Sequence, residues 1–335
     1  MPEMLDHTAE HALPARRWSR RTCDRPWQLQ RAQGCLLGQI CGDALGSSVE
    51  FYDTAAEIQL DFPDGPRDME DGGPFDTLAG QPTDDSEMAL ALARTLVEAG
   101  GFDRAKALEA YLEWFESGPF DCGETIAAAL CGRATGDSQG NGALMRASPL
   151  GLFGAGRDPH LVAEWARQDA AITHPNRICQ DANALFVMAI ATEIGENAGP
   201  VPLYQLIRGW AAEMQASAEL VEAVEAAEHE TWIDRSGGKH AWVLVALQNA
   251  LWQLLHAPNL EEAVINTAGR GGASGTNAAV CGALLGAVYG RDAVPVRWQQ
   301  AVLNCCPDGA AAGQPRPKTY WPADTLELAH RLLHV

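Results

Sequence analysis

Four glycines recur at four-residue intervals in LQRAQGCLLGQICGDALGSSVEF: Gly34, Gly38, Gly42 and Gly46. Helical geometry places such a row on one face. Glycine weakens a helix, so the row makes physical sense only where a second helix backbone approaches closely. The chain is therefore expected to pack helices around one that begins near Leu29. Apolar residues three or four apart predict further helices over 84–99, 103–117, 123–132, 143–154, 160–171, 176–195, 203–214, 218–228, 240–256, 259–268, 276–290 and 323–334. Alternating Val, Ile and Thr runs are scarce, aromatic residues make up 7% of the chain, and no repeat of fixed period stands out. The expected fold class is all-α, a single many-helix domain over 28–335 preceded by an N-terminal extension over 1–27. Residues 53–82 are rich in Gly, Pro and Asp and predict a long surface loop with one short helix. Long ordered loops in compact domains are usually functional.

Charge narrows the partners. Lys and Arg number 24 against 44 Asp and Glu, a net charge of −20. Such a field repels phosphate backbones and argues against general nucleic-acid binding. It suits a protein that holds cations or meets a basic partner. Arg16, Arg17, Arg20, Arg21 and Arg25 nevertheless crowd one short stretch. The nine cysteines form no C-x-x-C pair, and several lie in apolar helical runs. The N-terminal residues contain no apolar core of a secretion signal, and the most apolar run, 241–255, carries Gln248, Asn249 and Gln253. The expectation is a cytoplasmic protein without a membrane span.

Five motifs could carry chemistry. Thr83, Asp84 and Asp85 precede an apolar helix in TDDSEMALALA. Asp84 with Glu87 reads as a helix cap, but adjacent acids also suit a hard cation such as Mg²⁺ or Mn²⁺. In GDALGSSVEF, Asp43 and Glu50 frame a Gly-rich helix end. Either Gly46 is a C-cap and Glu50 a solvated acid, or Glu50 enters a cleft as a carboxylate near a reacting sugar. GPFDCGET, with Asp121, and GNGALMRASPLG, with Asn141, Gly142, Met145 and Arg146, are glycine loops opening helices. Helix N-termini of this kind can hold phosphates, whereas Arg146 also suits a structural ion pair. His174 in ITHPN precedes a proline, and RGGASGTNAAV feeds a small-residue helix. That last turn reads as a close-packed helix start or an anion nest.

Taken together, in this order and spacing, the motifs resemble the ADP-ribosylglycohydrolase family from about Leu29 to Val335. The resemblance rests on GCLLGQICGDALGSSVEF, TDDSEMALALA, NGALMRASPLGL, THPN, ALQNALWQLLHA and the terminal Gly-rich motif. It implies a compact all-α fold whose cleft holds two Mg²⁺ or Mn²⁺ ions. It implies cleavage of the glycosidic bond between ADP-ribose and an acceptor, often an arginine of a protein. By the same resemblance, Thr83, Asp84, Asp85 and Thr276 are metal-ligand candidates, and Glu50, Asp85 and Asp121 are catalytic candidates. Asp43, Asn141, Gly142, Met145, Arg146, His174, Trp242, Gly271, Gly272 and Ser274 are then substrate-binding candidates.

The terminal motif departs from the family pattern Gly-Gly-Asp-Thr-Asp-Thr. Here the stretch is Gly271, Gly272, Ala273, Ser274, Gly275, Thr276, so both acids are missing. Trp242 stands where many relatives carry Tyr. Losing two charged ligands is expected to leave fewer or weaker cation sites than two. Activity is the first expectation. The alternative is a catalytically impaired ADP-ribose binder or an immunity protein that blocks an ADP-ribosyltransferase toxin through the Arg-rich extension.

Overall fold

The computed structural model describes residues 23–229, 239–309 and 313–335. The Arg-rich stretch at Arg16, Arg17, Arg20 and Arg21 lies outside the described residues; Arg25 is the N-cap of the first helix. The helices in chain order are α1 (Pro26–Ser47), α2 (Ala55–Asp61), α3 (Asp84–Ala99), α4 (Arg104–Glu116), α5 (Glu124–Leu130), α6 (Ser148–Gly154), α7 (Pro159–Thr173) and α8 (Arg177–Glu196). They continue with α9 (Pro200–Glu213), α10 (Ala218–His229), α11 (Val243–His256), α12 (Leu260–Ala268), α13 (Ser274–Tyr289), α14 (Val296–Asn304) and α15 (Thr325–His334). No β-strand occurs among the described residues; two isolated bridges join Gly72 to Thr77 and Gly140 to Trp242.

α1 is the axis of the molecule. Every residue from Ala32 to Ser47 is buried, as expected of a helix surrounded by others. Its glycine face lies directly on α13, antiparallel to it. A Cβ built on Gly38 would stand 2.3 Å from the Gly282 carbonyl oxygen, and one on Gly42 2.1 Å from that of Ala278. In return, a Cβ on Gly282 would stand 2.1 Å from the oxygen of Gly38, and one on Gly286 2.0 Å from that of Gly34. Both helices give up side chains so that their backbones touch. At the far end Gly46 meets Ser274 and Gly275, where an added Cβ would lie 2.5 Å from the Ser274 oxygen. Gly46 is therefore a packing glycine; Ser48 is the C-cap of α1. The contact fixes the first turn of α13 beside Asp43 and Glu50, and thereby locates the site.

Three sequence expectations need correction. The helix predicted over 143–154 begins only at Ser148, because Pro149 lacks an N–H and opens a new helix, leaving 142–147 as turns. The helix predicted to begin near Leu29 starts at Pro26, a favoured first position. α14 was not anticipated, although its buried Trp298 and Val302 are one helical turn apart. None of the cysteines forms a disulfide, and no helix among the described residues is long and apolar enough to cross a membrane.

Gly38→Ala is expected to cost about 2–4 kcal/mol, because backbone meets the new methyl. Gly209 on α9 has nothing within 4 Å of an added Cβ, so Gly209→Ala is expected to be neutral or stabilising by about 0.5–1 kcal/mol. Urea midpoints measure both; equal shifts would contradict the close-contact account.

Candidate active site

The site is assembled where α1, α3 and α13 begin or end. Asp43, fully buried on α1, caps α3 from a distance. Its carboxylate accepts from Thr83 N at 3.1 Å, Thr83 Oγ1 at 2.8 Å and Ser86 N at 3.1 Å. That satisfies first-turn N–H groups that a helix cannot satisfy itself. The cap expected from Asp84 and Glu87 is not formed. Glu87 instead accepts from Arg316 Nε and Nη2, both at 2.8 Å, and from Trp114 Nε1 at 2.8 Å. Arg316 also donates to the carbonyls of Ser117 and Gly118. Residues near the C-terminus thus tie α3 to the loop that carries Asp121.

Asp84 and Asp85 occupy the first turn of α3, where the helix dipole favours negative charge. Asp84 Oδ2 accepts from Gly123 N at 3.2 Å. The loop expected to offer its N–H groups to phosphate therefore spends this one on Asp84. Thr83 Oγ1 lies 3.3 Å from Asp85 Oδ2, and Thr276, on α13, lies close enough to the Asp85 carboxylate to favour its charged form. Glu50 Oε2 accepts from Gly275 N, at the start of α13, at 2.9 Å.

These acids crowd one another. Burial, then the charges of Asp121 and Asp43, pushes Asp84 well above the usual carboxylate range. Burial, then Asp43 and Asp84, does the same to Asp85. Burial raises Glu50 to about 7, opposed by the Gly275 N–H and reinforced by Asp121. Burial also raises Asp121. His174 is lowered to about 3 by burial and by Arg146, so it stays neutral near pH 7.

A cavity of about 430 Å³ opens above this cluster, within the size range of small-molecule sites. Glu50, Asp84, Asp121 and Thr276 line it, as do Asn141, Gly142, Met145, His174, Gly272 and Ala273. Thr83, Asp85, Ser274 and Gly271 are buried and are not among the lining residues. Three substrate-binding expectations are redirected by the geometry. Asp43 is buried beneath Thr83. Arg146 is fully buried, with Nε 3.2 Å from Asp169 Oδ2 and Nη1 2.8 Å from Thr173 Oγ1. Thr173 Oγ1 is in turn 2.9 Å from His174 Nδ1, so Arg146 orients the His174 corner from behind. Trp242 caps α11 and donates to Gln139 Oε1 at 2.8 Å, while its neighbours His240 and Ala241 reach the lining. Phe51, Tyr52, Asp53 and Glu124 also line the cavity. Sequence reasoning passed over them although they adjoin Glu50 and Asp121, because an exposed aromatic or acid beside a turn reads equally well as a solvated loop residue.

Among the described residues, no cluster of three or more His, Cys, Asp or Glu is already arranged as a metal site. The donor chemistry nevertheless fits a hard cation. Buried Asp85 Oδ1 and Ser274 Oγ have no hydrogen-bond partner, and Thr83, Asp84, Asp85 and Thr276 contribute only oxygen donors.

The family model for ADP-ribosylglycohydrolase matches residues 24–335. The chain belongs to the ADP-ribosylglycohydrolase family. It is 29% identical to ADP-ribosylarginine hydrolase Tri1 of Pseudomonas putida (strain GB-1), over 89% of this chain and 81% of that protein. It is 33% identical to the ADP-ribosyl-[dinitrogen reductase] glycohydrolase of Rhodospirillum rubrum, over 80% of this chain and 88% of that one. The solved structure of an ADP-ribosylglycohydrolase-related protein complex aligns with a TM-score of 0.73 at 25% identity, covering 92% and 98% of the two chains. The all-α fold is thus the ADP-ribosylglycohydrolase fold.

Ala273 and Gly275, where the sequence resemblance expects acids, lie at or beside the acid cluster. Ala273 lines the cavity. A Cβ on Gly275 would lie 3.3 Å from Asp85 Oδ2 and 3.4 Å from Glu50 Oε2.

Because its pKa in the fold lies above the usual 4.5, Glu50 favours folding below pH 4.5 and loses that contribution as pH rises toward 7. Glu50→Gln is therefore expected to flatten the fall in thermal midpoint of the cation-free protein between pH 5 and 8, and to raise the midpoint at pH 8. An unchanged slope would mean Glu50 ionises freely.

Proposed function

We propose that this chain hydrolyses the glycosidic bond between ADP-ribose and an arginine acceptor, with help from a divalent cation. The observation that carries the reading is convergence. Glu50, Asp84, Asp121 and Thr276 come from four separate segments and line one cavity in a member of this family. The relatives named for ADP-ribosylarginine support the choice of acceptor.

In the proposed reaction a water oxygen bonds to the anomeric carbon as the carbon–nitrogen bond breaks, and the water's proton ends on the departing guanidine. The sugar passes through an oxocarbenium-like state, which nearby carboxylates stabilise. Glu50, whose pKa burial raises to about 7, suits transfer of the water's proton. Asp121, on the loop opposite, faces the acceptor. Thr83, Asp84, Asp85 and Thr276 would hold Mg²⁺ or Mn²⁺. A bound ion would supply positive charge for the ribose hydroxyls and lower the repulsion among the acids. With Ala273 and Gly275 in place of acids, the reading assigns one ion where the family pattern offers two.

Free ADP-ribose is expected from ADP-ribosylarginine in the presence of Mg²⁺, with Asp84→Asn lowering kcat/KM by about a hundredfold. No release with either Mg²⁺ or Mn²⁺ would refute the reading. Mn²⁺ titration followed by electron paramagnetic resonance is expected to give one ion per chain. A second ion is expected in the Ala273→Asp/Gly275→Asp double variant. Unchanged stoichiometry there would refute the one-ion account of this loop.

A further inference from the structure

Phe51 carries two costs at once. Its φ is 71°, in the left-handed region that bulky residues rarely enter, and 72% of its surface is exposed. Neither feature serves the core, and strain of this kind gathers at functional sites. Phe51 follows Glu50 directly and lines the same cavity as Glu50 and Asp121. Its ring is the first of three in contact: Phe51 and Phe75 have centroids 5.3 Å apart and tilted by 55°, Phe75 and Phe120 5.7 Å and 58°. Phe120 immediately precedes Asp121. Of the three, Phe51 is thus the ring that lines the cavity, alongside the carboxylates of Glu50 and Asp121, and Phe75 and Phe120 back it in a row of ring contacts.

The charge of the cavity is one-sided. Glu50, Asp53, Asp84, Asp121 and Glu124 line it, and no Lys or Arg is among the described lining residues. An aromatic surface flanked by carboxylates matches a flat, delocalised cation. A guanidinium stacks on a π face and pairs with carboxylate oxygens along its edge. A neutral hydroxyl acceptor could donate a hydrogen bond to a carboxylate but would gain neither charge pairing nor stacking from such a wall.

We propose that Phe51, braced by Phe75 and Phe120, determines acceptor specificity by stacking on the guanidinium of an arginine acceptor while Asp121 pairs with its edge. The proposal rests on the hydrolase reading above and names the acceptor platform within that site.

The test compares Phe51→Leu, which keeps apolar bulk but removes the π face, with Phe51→Trp, which keeps the π face. Steady-state hydrolysis of ADP-ribosylarginine is paired with calorimetry of two probes, agmatine and ADP-ribose, in the full chain with Mg²⁺. Phe51→Leu is expected to raise KM and weaken agmatine binding by about five- to tenfold. It leaves the Kd of ADP-ribose unchanged, and Phe51→Trp restores both properties. Unchanged agmatine affinity in Phe51→Leu would overturn the proposal, as would an equal loss of ADP-ribose affinity. If the wild-type chain releases no ADP-ribose, the hydrolase reading fails, and the agmatine arm then decides alone. Agmatine binding lost in Phe51→Leu and restored in Phe51→Trp sustains the platform; no agmatine binding to the wild-type chain overturns it.

Discussion

The backbone contact between α1 and α13 sets the position of everything else. Each helix presents glycine or a small residue at every fourth position, so carbonyl oxygens of one lie where side chains of the other would begin. Packing of this kind cannot slip by a residue without driving Cβ atoms into backbone. The register holds the first turn of α13 against the last turn of α1. Thr276 and the Gly275 N–H consequently arrive beside Asp85 and Glu50. From the other side, Asp43 on α1 caps α3 and delivers Asp84 and Asp85. One helix therefore places two walls of the cavity.

The walls are electrostatically unbalanced. Acids that are buried and close together raise one another's pKa, which favours protons or cations between them. Ala273 and Gly275 add no charge to this cluster, and the Gly275 N–H gives Glu50 a donor.

Much of this was legible in the sequence, for identifiable reasons. The glycine row announced a close helix contact because local geometry alone puts residues four apart on one face. The Thr-Asp-Asp motif and the glycine loops marked the chain segments that meet at the cavity. What failed to show was long-range pairing. Asp43 reads as a cleft residue in sequence, but its partners lie forty residues on, at the start of α3. Glu87 reads as a helix cap, but Arg316 claims it from 229 residues away. For Arg146 the resemblance implies substrate binding, but the structural ion pair that the sequence also allowed is what forms, with Asp169 and Thr173 enclosing it. The placement of Phe51 at the cavity comes with a positive φ that nothing nearby in the sequence demands.

The central claim is that the paired aspartates still share a divalent ion with a sugar diol although the facing turn has lost its acids. A crystal structure with ADP-ribose and Mn²⁺, using anomalous scattering to count and place the ions, tests it most directly. The account predicts one ion bounded by Thr83, Asp84, Asp85 and Thr276 and touching the ribose hydroxyls. ADP-ribose bound in the cavity with no ion on those residues, or ions held elsewhere, would contradict it.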